Sequence, residues 1–205
     1  MLRTLLTTSA LMLLLTPSVY ADTPMTFDVA EDHTRIFMAA APLHDNGMPA
    51  HGNAFVSQGY IYPAGTLEAS TTGVNDDGSP AFPDLVLGAW TCDGYFVGEG
   101  ANATTGVWVI SRQVFDFADG DMIITQGTEL VDTGVENLRP ITGASGDYAG
   151  LDGGVYQTLL GFNDHMAVNA TFRIEDQEAD HASLAPDYET GEWDSGAPVG
   201  PVPSI

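Results

Sequence analysis

Lysine is absent from this 205-residue sequence, and five arginines stand against 28 acidic residues, which gives a formal net charge of −23. Proteins that bind nucleic acid or anionic lipid surfaces do so through clustered positive side chains. The sequence therefore excludes nucleic acid and anionic membranes as partners. Because a P-loop needs a lysine to contact the bound phosphates, the same absence excludes a nucleotide site of that type.

Cysteine is nearly absent as well. The chain has one, Cys92, so no disulfide can form within it. A single thiol is either a buried, small apolar side chain or a reactive group. A reactive thiol needs a positive neighbour that lowers its pKa, and none is near Cys92 in the sequence. Burial is therefore the favoured interpretation.

Long apolar runs are lacking outside the N-terminus. Residues 1–21 contain Arg3, an apolar run that ends at Leu15, and the small residues Val19 and Ala21, a pattern typical of a secretory signal peptide. No later stretch approaches the ~20 apolar residues of a transmembrane helix. We therefore predict export to a secreted or periplasmic location, no membrane insertion, and a mature chain that begins at Asp22.

The rest of the chain divides by composition into two parts. Residues 22–174 suit one domain with one sizeable core. Residues 175–205 carry eight of the 28 acidic residues and show little apolar periodicity. Such a segment cannot bury enough apolar surface to offset its ordering entropy, so we predict a disordered acidic tail rich in proline and glycine.

Helical periodicity is also missing beyond the N-terminus, whereas strand-like runs are frequent. Runs rich in β-branched and aromatic residues, each bounded by Gly, Asp, Asn or Pro, lie at 52–63, 84–98, 106–117, 121–130, 153–162 and 165–174. Residues 35–43 are a candidate first strand. Many short strands with few helices predict an all-β sandwich or barrel.

Two candidate hairpins define a predicted interior face. A two-residue loop at Asp119-Gly120 pairs positions that sum to 239, which places Phe115 opposite Ile124, Gln113 opposite Gln126, and Ser111 opposite Thr128. Glu129 then lies on the outer face. A loop at Asn163-Asp164 likewise places Gln157 opposite Ala170, and the strand at 52–63 adds Val56, Gln58, Tyr60 and Tyr62 to the interior.

Uncharged polar side chains are unusually frequent on this predicted face. An interior amide without a partner costs ~1–3 kcal/mol, so these amides need each other, water or a ligand. The candidate cavity residues are Gln58, Tyr60, Trp90, Ser111, Gln113, Gln126, Thr128 and Gln157. A self-satisfied polar layer is favoured over a ligand cavity. If a ligand binds among these amides, we expect a neutral, apolar molecule with one or two hydrogen-bonding oxygens.

The stretch ITGASGDYAG, residues 141–150, looks like a phosphate-binding loop. A dinucleotide loop must lead into a helix N-terminus, but a strand pattern follows here and the spacing is not G-x-G-x-x-G. We interpret the stretch as a structural corner in which Tyr148 folds inward. Its bends are assigned to Gly143, Gly146, Gly150 and Gly153, and we expect Gly143, Gly150 or both to have backbone angles open mainly to glycine.

Metal ligands are weakly indicated. His44, Asp45 and His51 lie near one another in the sequence, but their spacing matches no standard site and a solvated loop is favoured. Asp93 and Glu129 are candidate paired carboxylates, although nothing in the sequence places them together. We therefore predict neither a metal nor a cofactor.

A family pattern runs through the C-terminal half. Gln126-Gly127 end one strand-like run, and a glycine-rich pattern and two closing strands follow. The pattern T-G-G-[ST]-G-x-[FY]-x-G-x-x-G is matched by Thr142, Gly143, Ser145, Gly146, Tyr148, Gly150 and Gly153, with Ala144 in place of the second glycine. Over about residues 119–174 the chain thus resembles allene oxide cyclases and, more distantly, dirigent proteins.

The resemblance implies a closed, antiparallel, eight-stranded calycin-like β-barrel, usually a homotrimer, with an apolar cavity. The cyclases share an acidic residue on their first strand, and residues 35–43 contain no acid. The resemblance therefore supports the fold and transfers no catalytic residue.

Two functions stay open at this point. One is an exported barrel that binds a small, apolar, oxygenated molecule and steers its cyclisation or isomerisation without a cofactor. The other is a non-catalytic binding or structural barrel.

We predict that the purified, exported protein begins at Asp22 and that residues after about 175 are cut first by proteases, because the acidic tail cannot form a core. Limited proteolysis followed by mass spectrometry measures both. A tail as well protected as the barrel strands would contradict the disorder prediction.

Overall fold

Nine β-strands and five short 3-10 helices form the described part of the chain, which is residues 26–175 of a computed structural model. The strands are β1 (Thr26–Glu31), β2 (Phe37–Met38), β3 (Ala54–Pro63), β4 (Gly88–Phe96), β5 (Val107–Phe117), β6 (Met122–Leu130), β7 (Glu136–Ser145), β8 (Gly154–Phe162) and β9 (Val168–Ile174). The predicted signal peptide and all but the first residue of the predicted tail lie outside the described residues. No helix within 26–175 is long and apolar enough to cross a membrane.

The sheet closes into a barrel. Eight strands follow the order β1-β9-β8-β7-β6-β5-β4-β3, and β1 also pairs with β3, so the sheet of these eight strands has no free edge. All of the strand pairs are antiparallel. The prediction of an all-β, closed, eight-stranded antiparallel barrel is confirmed. The two-residue strand β2 lies outside the closed sheet and pairs with β3.

The predicted first strand is wrong. Of residues 35–43, only Phe37 and Met38 form a strand, and both side chains are exposed. The first barrel strand is β1, in which Phe27 and Val29 point into the core while Asp28 and Ala30 point outward. Alternation then directs Glu31 to the inside of the barrel.

Strand β7 contains part of the stretch that was interpreted as a corner. Residues 141–145 pair with β6, while Glu136–Pro140 pair with β8. Pro140, Gly143 and the residues around them give this segment low strand propensity by itself. Here neighbouring strands on both sides supply its hydrogen-bond partners, which is the tertiary context that decides strand formation.

The predicted register of the hairpin formed by β5 and β6 is wrong by one residue. Phe117 N donates to the carbonyl oxygen of Asp121, which leaves a three-residue loop, Ala118–Gly120, in place of the expected two. The extra loop residue pairs Phe115 with Ile123 and exchanges the two faces of β6. Gln126 and Thr128 therefore lie on the outer face, whereas Thr125 and Glu129 are buried inside.

The register of the hairpin formed by β8 and β9 differs from the predicted one by two residues, and its side chains keep their predicted faces. The turn runs from Asn163 to Ala167, so Gln157 lies opposite Phe172 rather than Ala170. An even shift keeps every side chain on its predicted side of the sheet. Gln157 is accordingly buried inside the barrel.

The long connection between β3 and β4 covers part of the outer surface. Leu67 and Val74 from this connection pack with Ala30 and Tyr62 in a second, smaller core outside the barrel. The hydroxyl of Tyr62 donates to the carbonyl oxygen of Gly73 at 2.6 Å. Tyr62 is therefore buried on the outer face of β3, not on the inner face where the sequence pattern placed it.

The closed end of the barrel holds an aromatic core. Phe27 lies 5.1 Å from Phe115 and 5.6 Å from Phe172, measured between ring centroids. Tyr148 packs against Phe117 at 5.3 Å and is buried. These rings fill the barrel at the end where the β7–β8 connection crosses it.

Three of the four predicted corner glycines have left-handed backbone angles. The φ angles are +64° at Gly146, +87° at Gly150 and +85° at Gly153. Gly143 lies within β7, and its φ angle is not in the left-handed region. The expectation of special backbone angles therefore applies to Gly150 and not to Gly143.

We predict that Gly150→Ala lowers the free energy of unfolding by about 1–2 kcal/mol, because a Cβ disfavours the left-handed conformation. A Cβ at Gly150 would have no neighbour within 4 Å, so the effect isolates the backbone. In the matched control Gly143→Ala, the new Cβ would lie 3.6 Å from Ile124, an ordinary contact. Chemical denaturation measures both, and equal stability of the two variants would contradict the assignment.

Candidate functional site

The structure separates the eight predicted cavity residues into two groups. Four are buried inside the barrel: Trp90, Ser111, Gln113 and Gln157. Four lie on the outer face: Gln58, Tyr60, Gln126 and Thr128. Gln126 and Thr128 lie outside because of the one-residue shift in β6. Gln58 and Tyr60 lie outside because Ser57 and Ile61 are the residues of β3 that point inward.

A layer of buried polar side chains crosses the barrel interior next to the aromatic core. We call it the polar belt, and it consists of Ser111, Gln113, Glu129, Arg139 and Gln157. Gln113 Nε2 donates to Gln157 Oε1 at 3.1 Å, and Gln157 Nε2 donates to Glu129 Oε2 at 2.8 Å. The hydroxyl of Ser111 donates to the other carboxyl oxygen of Glu129. The chain's own side chains therefore satisfy most of these polar groups.

Arg139 supplies the positive charge of this belt. Its side chain is fully buried, and NH1 lies 3.8 Å from Glu129 Oε1. Its other donors reach the hydroxyl of Thr125 at 3.2 Å and both oxygens of Ser111 at 3.0 Å. Burial lowers the pKa of Arg139, an effect that the carboxylate of Glu129 opposes. A buried ion pair with these additional hydrogen bonds compensates much of its desolvation cost.

Sequence reasoning missed both members of this pair. Arg139 lies in a segment that was not predicted as a strand, and Glu129 was placed outside by the incorrect register. The one available signal was compositional: Arg139 is one of only four arginines after residue 21. Asp93, the other candidate carboxylate, lies on the outer face, where it pairs with Arg112 at 2.8 Å.

The side chain of Cys92 contacts the polar belt at Glu129. Its Sγ is 3.5 Å from Glu129 Oε1, and the side chain is buried. Burial and, next, the negative charge of Glu129 raise the pKa of the thiol well above its ordinary value. The thiolate is disfavoured, which agrees with the prediction that Cys92 is a buried, small side chain rather than a reactive thiol.

An open pocket of about 540 Å³ lies at the end of the barrel opposite the aromatic core. We call it the mouth pocket. Its lining consists of Glu31, Ile36, Met38, Gly47, Met48, Pro49, Phe96, Ala101, Ala103, Trp108, Val131, Phe162, Met166 and Val168. Every one of these side chains except Glu31 is apolar or, for Trp108, largely apolar. None of the eight residues predicted from the sequence lines it.

Irregularities in two hairpins accompany the aromatic wall of this pocket. Strict alternation would turn Trp108 of β5 and Phe162 of β8 away from the interior. The pairing register shifts between Val107 and Val109, and again between Leu159 and Gly161. Such bulges re-aim side chains at barrel rims. Trp108 thereby packs edge-to-face with Phe162 at 6.0 Å and with Phe96 at 5.8 Å.

Glu31 is the one ionisable side chain of the mouth pocket. Its Oε2 accepts a hydrogen bond from Val168 N at 2.9 Å, and the residue is 9% exposed. The hydroxyl of Ser57 lies beside the carboxyl group but has no hydrogen bond of ordinary geometry. Burial raises the pKa of Glu31; the contacts with Val168 and Ser57 oppose this rise, and the charges of Glu129 and Asp32 add to it. Glu31 therefore keeps its proton to a higher pH than an exposed glutamate does.

The candidate metal ligands lie in exposed or half-buried loop positions. His44 Nε2 donates to the carbonyl oxygen of Glu99 at 2.8 Å, and His51 Nδ1 accepts from Gly98 N at 3.1 Å. Within residues 26–175, no group of three or more His, Cys, Asp or Glu side chains is arranged to hold a metal ion. These two histidines tie loops together.

Comparisons with known proteins concern the fold alone. No protein-family model matches the chain. No curated protein matches it. Among solved structures, pyocyanin demethylase is 16% identical with a TM-score of 0.45, over 74% of this chain and 98% of that chain. The pterocarpan synthase dirigent protein is 14% identical with a TM-score of 0.48, over 72% of this chain and 87% of that chain. Neither likeness assigns chemistry to this chain.

We predict that Arg139→Leu lowers the free energy of unfolding by about 3–5 kcal/mol, because it leaves the carboxylate of Glu129 buried without a cation. Arg112→Leu is the matched control, since its ion pair with Asp93 is exposed and contributes about 0–1 kcal/mol. Urea denaturation measures both variants.

The double variant Arg139→Leu/Glu129→Gln removes both charges together. It should lose less stability than the sum of the two single variants, because neither charge is left alone. Strict additivity would show that the two side chains do not interact.

Proposed function

We propose that the protein binds a small, largely apolar, oxygenated molecule in the mouth pocket and steers its cyclisation or isomerisation without a cofactor. The observation that carries the proposal is Glu31, a single carboxyl group at the base of an otherwise apolar pocket. A concave apolar site with one convergent polar group is the usual form of a small-molecule site.

Glu31 provides the polar contact with the ligand. One carboxyl oxygen is held by Val168 N, so the other presents its proton to an ether, epoxide or carbonyl oxygen of the ligand. Because burial raises the pKa of Glu31, the acid keeps this proton closer to neutral pH than an exposed glutamate does. A carboxyl group of raised pKa can act as a general acid on a reacting oxygen.

The walls of the pocket provide confinement. Phe96, Trp108 and Phe162 form a continuous set of edge-to-face contacts along one side. Rigid apolar walls restrict a flexible, reactive molecule to a few conformers, and holding a near-attack conformer accelerates an intramolecular ring closure. Steering of this kind needs shape and one proton donor rather than a set of charged groups.

Export and assembly belong to the same proposal. The N-terminal segment 1–21 supports a secreted or periplasmic location. Exposed apolar side chains on the outer face of β2–β5, among them Phe37, Tyr95 and Ile110, support assembly into a homotrimer.

A non-catalytic binding or structural barrel is the second candidate. The polar belt favours it, because hydrogen bonds link Gln113 to Gln157 and Gln157 to Glu129, and Arg139 forms an ion pair with Glu129, rather than facing an open cavity. If the protein is such a barrel, the mouth pocket binds a ligand without transforming it, or binds none.

The test is a titration of the full-length protein with neutral, apolar, oxygenated compounds, followed by tryptophan fluorescence and by product analysis for cyclised or isomerised material. Glu31→Leu should weaken binding by about 1–3 kcal/mol, the cost of an unpaired polar group. Gln126→Leu is the control, because Gln126 lies on the outer face, and it should bind like the wild type.

The pH dependence has a definite sign. A neutral acceptor ligand needs the protonated form of Glu31, so affinity is full at low pH and falls as the pH rises through the raised pKa of Glu31. Glu31→Gln keeps a donor that does not titrate, so its affinity should not change over that range. If no compound binds, the ligand proposal fails, and if ligands bind but leave unchanged, the non-catalytic alternative holds.

A further inference from the structure

We propose that Met38, Met48 and Met166 form an adaptable rim that closes over the molecule bound in the mouth pocket, and that oxidation of these thioethers by a hydroperoxide switches binding off. The inference rests on the proposed function of the pocket. It adds a modification site and a regulation that do not depend on Glu31.

The distribution of methionine is the first observation. Residues 26–175 contain four methionines, and three of them line the mouth pocket. They come from separate segments of the chain: Met38 from β2, Met48 from the connection before β3, and Met166 from the β8–β9 turn. Their exposed fractions are 43%, 42% and 74%, so each reaches both the pocket and the solvent.

The backbone of Met166 is the second observation. Its φ angle is +62°, and it is the one residue other than glycine with a positive φ angle in the described part of the chain. Glycine or asparagine would adopt this conformation at lower cost, and a strained residue typically persists where its side chain has a function. The side chain of Met166 is 74% exposed, so burial does not explain the conformation.

Contacts of Asn163 and His165 hold the turn that carries Met166. Asn163 Oδ1 accepts hydrogen bonds from His165 N at 3.0 Å and from Ala167 N at 3.2 Å. The ring of His165 stacks on that of His33 at 4.0 Å, which ties the turn to the segment after β1. These contacts hold the backbone of the turn, whereas the exposed side chain of Met166 is free to change rotamer.

Methionine suits a rim of this kind. Its side chain has three rotatable bonds and a polarizable sulfur, so it adapts to ligands of different outline. Leucine or phenylalanine would give a comparable apolar surface with less freedom. Three thioethers around one opening let the rim cover the outer side of a ligand whose inner side meets Glu31 and Trp108.

The same thioethers are open to oxidation. A hydroperoxide transfers its terminal oxygen to the methionine sulfur. The O–O bond breaks and an S–O bond forms; the sulfur is oxidised by two electrons, and the peroxide is reduced to water or the corresponding alcohol. The product is a polar sulfoxide that methionine sulfoxide reductases convert back with a thiol reductant. Sulfoxides at the rim bind water. An apolar ligand has to remove this water from the sulfoxides when it binds, so its affinity falls.

The experiment uses Nile red, a neutral, apolar, oxygenated dye, as the probe. The full-length protein is titrated before and after treatment with hydrogen peroxide, and peptide mass spectrometry locates the sulfoxides. We expect oxidation at Met166, Met38 and Met48 ahead of Met122, which does not line the pocket, and at least a tenfold loss of dye affinity. Methionine sulfoxide reductase should restore the binding.

Two variants complete the test. The triple variant Met38→Leu/Met48→Leu/Met166→Leu should bind the dye and keep its affinity after peroxide treatment. The control Met122→Leu should lose affinity on oxidation, as the wild type does. If the untreated protein binds no dye, the proposed function fails. If it binds the dye but oxidation of all three methionines leaves the affinity unchanged, the rim proposal alone is overturned.

Discussion

The closure of the sheet by β1 is the constraint on which the rest of the structure depends. Thr26–Glu31 bonds to β9 along one edge and to β3 along the other, so six residues remove both free edges of the eight-stranded sheet. Closure divides all side chains into two classes, inside and outside. It also ends β1 at the mouth of the barrel, and this is why Glu31 lies at the base of the mouth pocket.

Inside the closed barrel, the chemistry changes along the axis. Phenylalanine rings fill one end, the polar belt around Glu129 and Arg139 crosses the interior, and the mouth pocket opens at the other end. The belt separates the core from the pocket. Its charges are paired and hydrogen bonds link its two amides to Glu129, while Gln113 Oε1 has no hydrogen-bond partner. These contacts within the belt stabilise the barrel. The carboxyl group of Glu31, above the belt, has no positive partner among the residues that line the pocket with it.

The mouth pocket arises where the regular sheet pattern breaks down. Register shifts in two hairpins accompany the inward placement of Trp108 and Phe162, and the strained turn after β8 presents Met166 at the rim. These local departures from regular geometry occur at one end of the molecule. A further register shift, between Ile124 and Thr125, lies in the β6–β7 pair. The proposed binding site therefore lies at the mouth, and the closed aromatic core lies at the opposite end.

The sequence by itself determined the all-β class, six of the eight barrel strands, and the burial of Trp90, Ser111, Gln113 and Gln157. The closed barrel was implied by the family resemblance that the glycine-rich pattern carries. Strand runs with period-two alternation carry that information locally. Only the tertiary structure decided the register of β5 and β6, in which one additional loop residue moved Gln126 outward and Glu129 inward. It also decided that Thr26–Glu31 is the first strand, because this segment finds its hydrogen-bond partners in β3 and β9, which are distant from it in the sequence. The mouth pocket depends on this closure and on the bulges, and neither can be derived from a local pattern of residues.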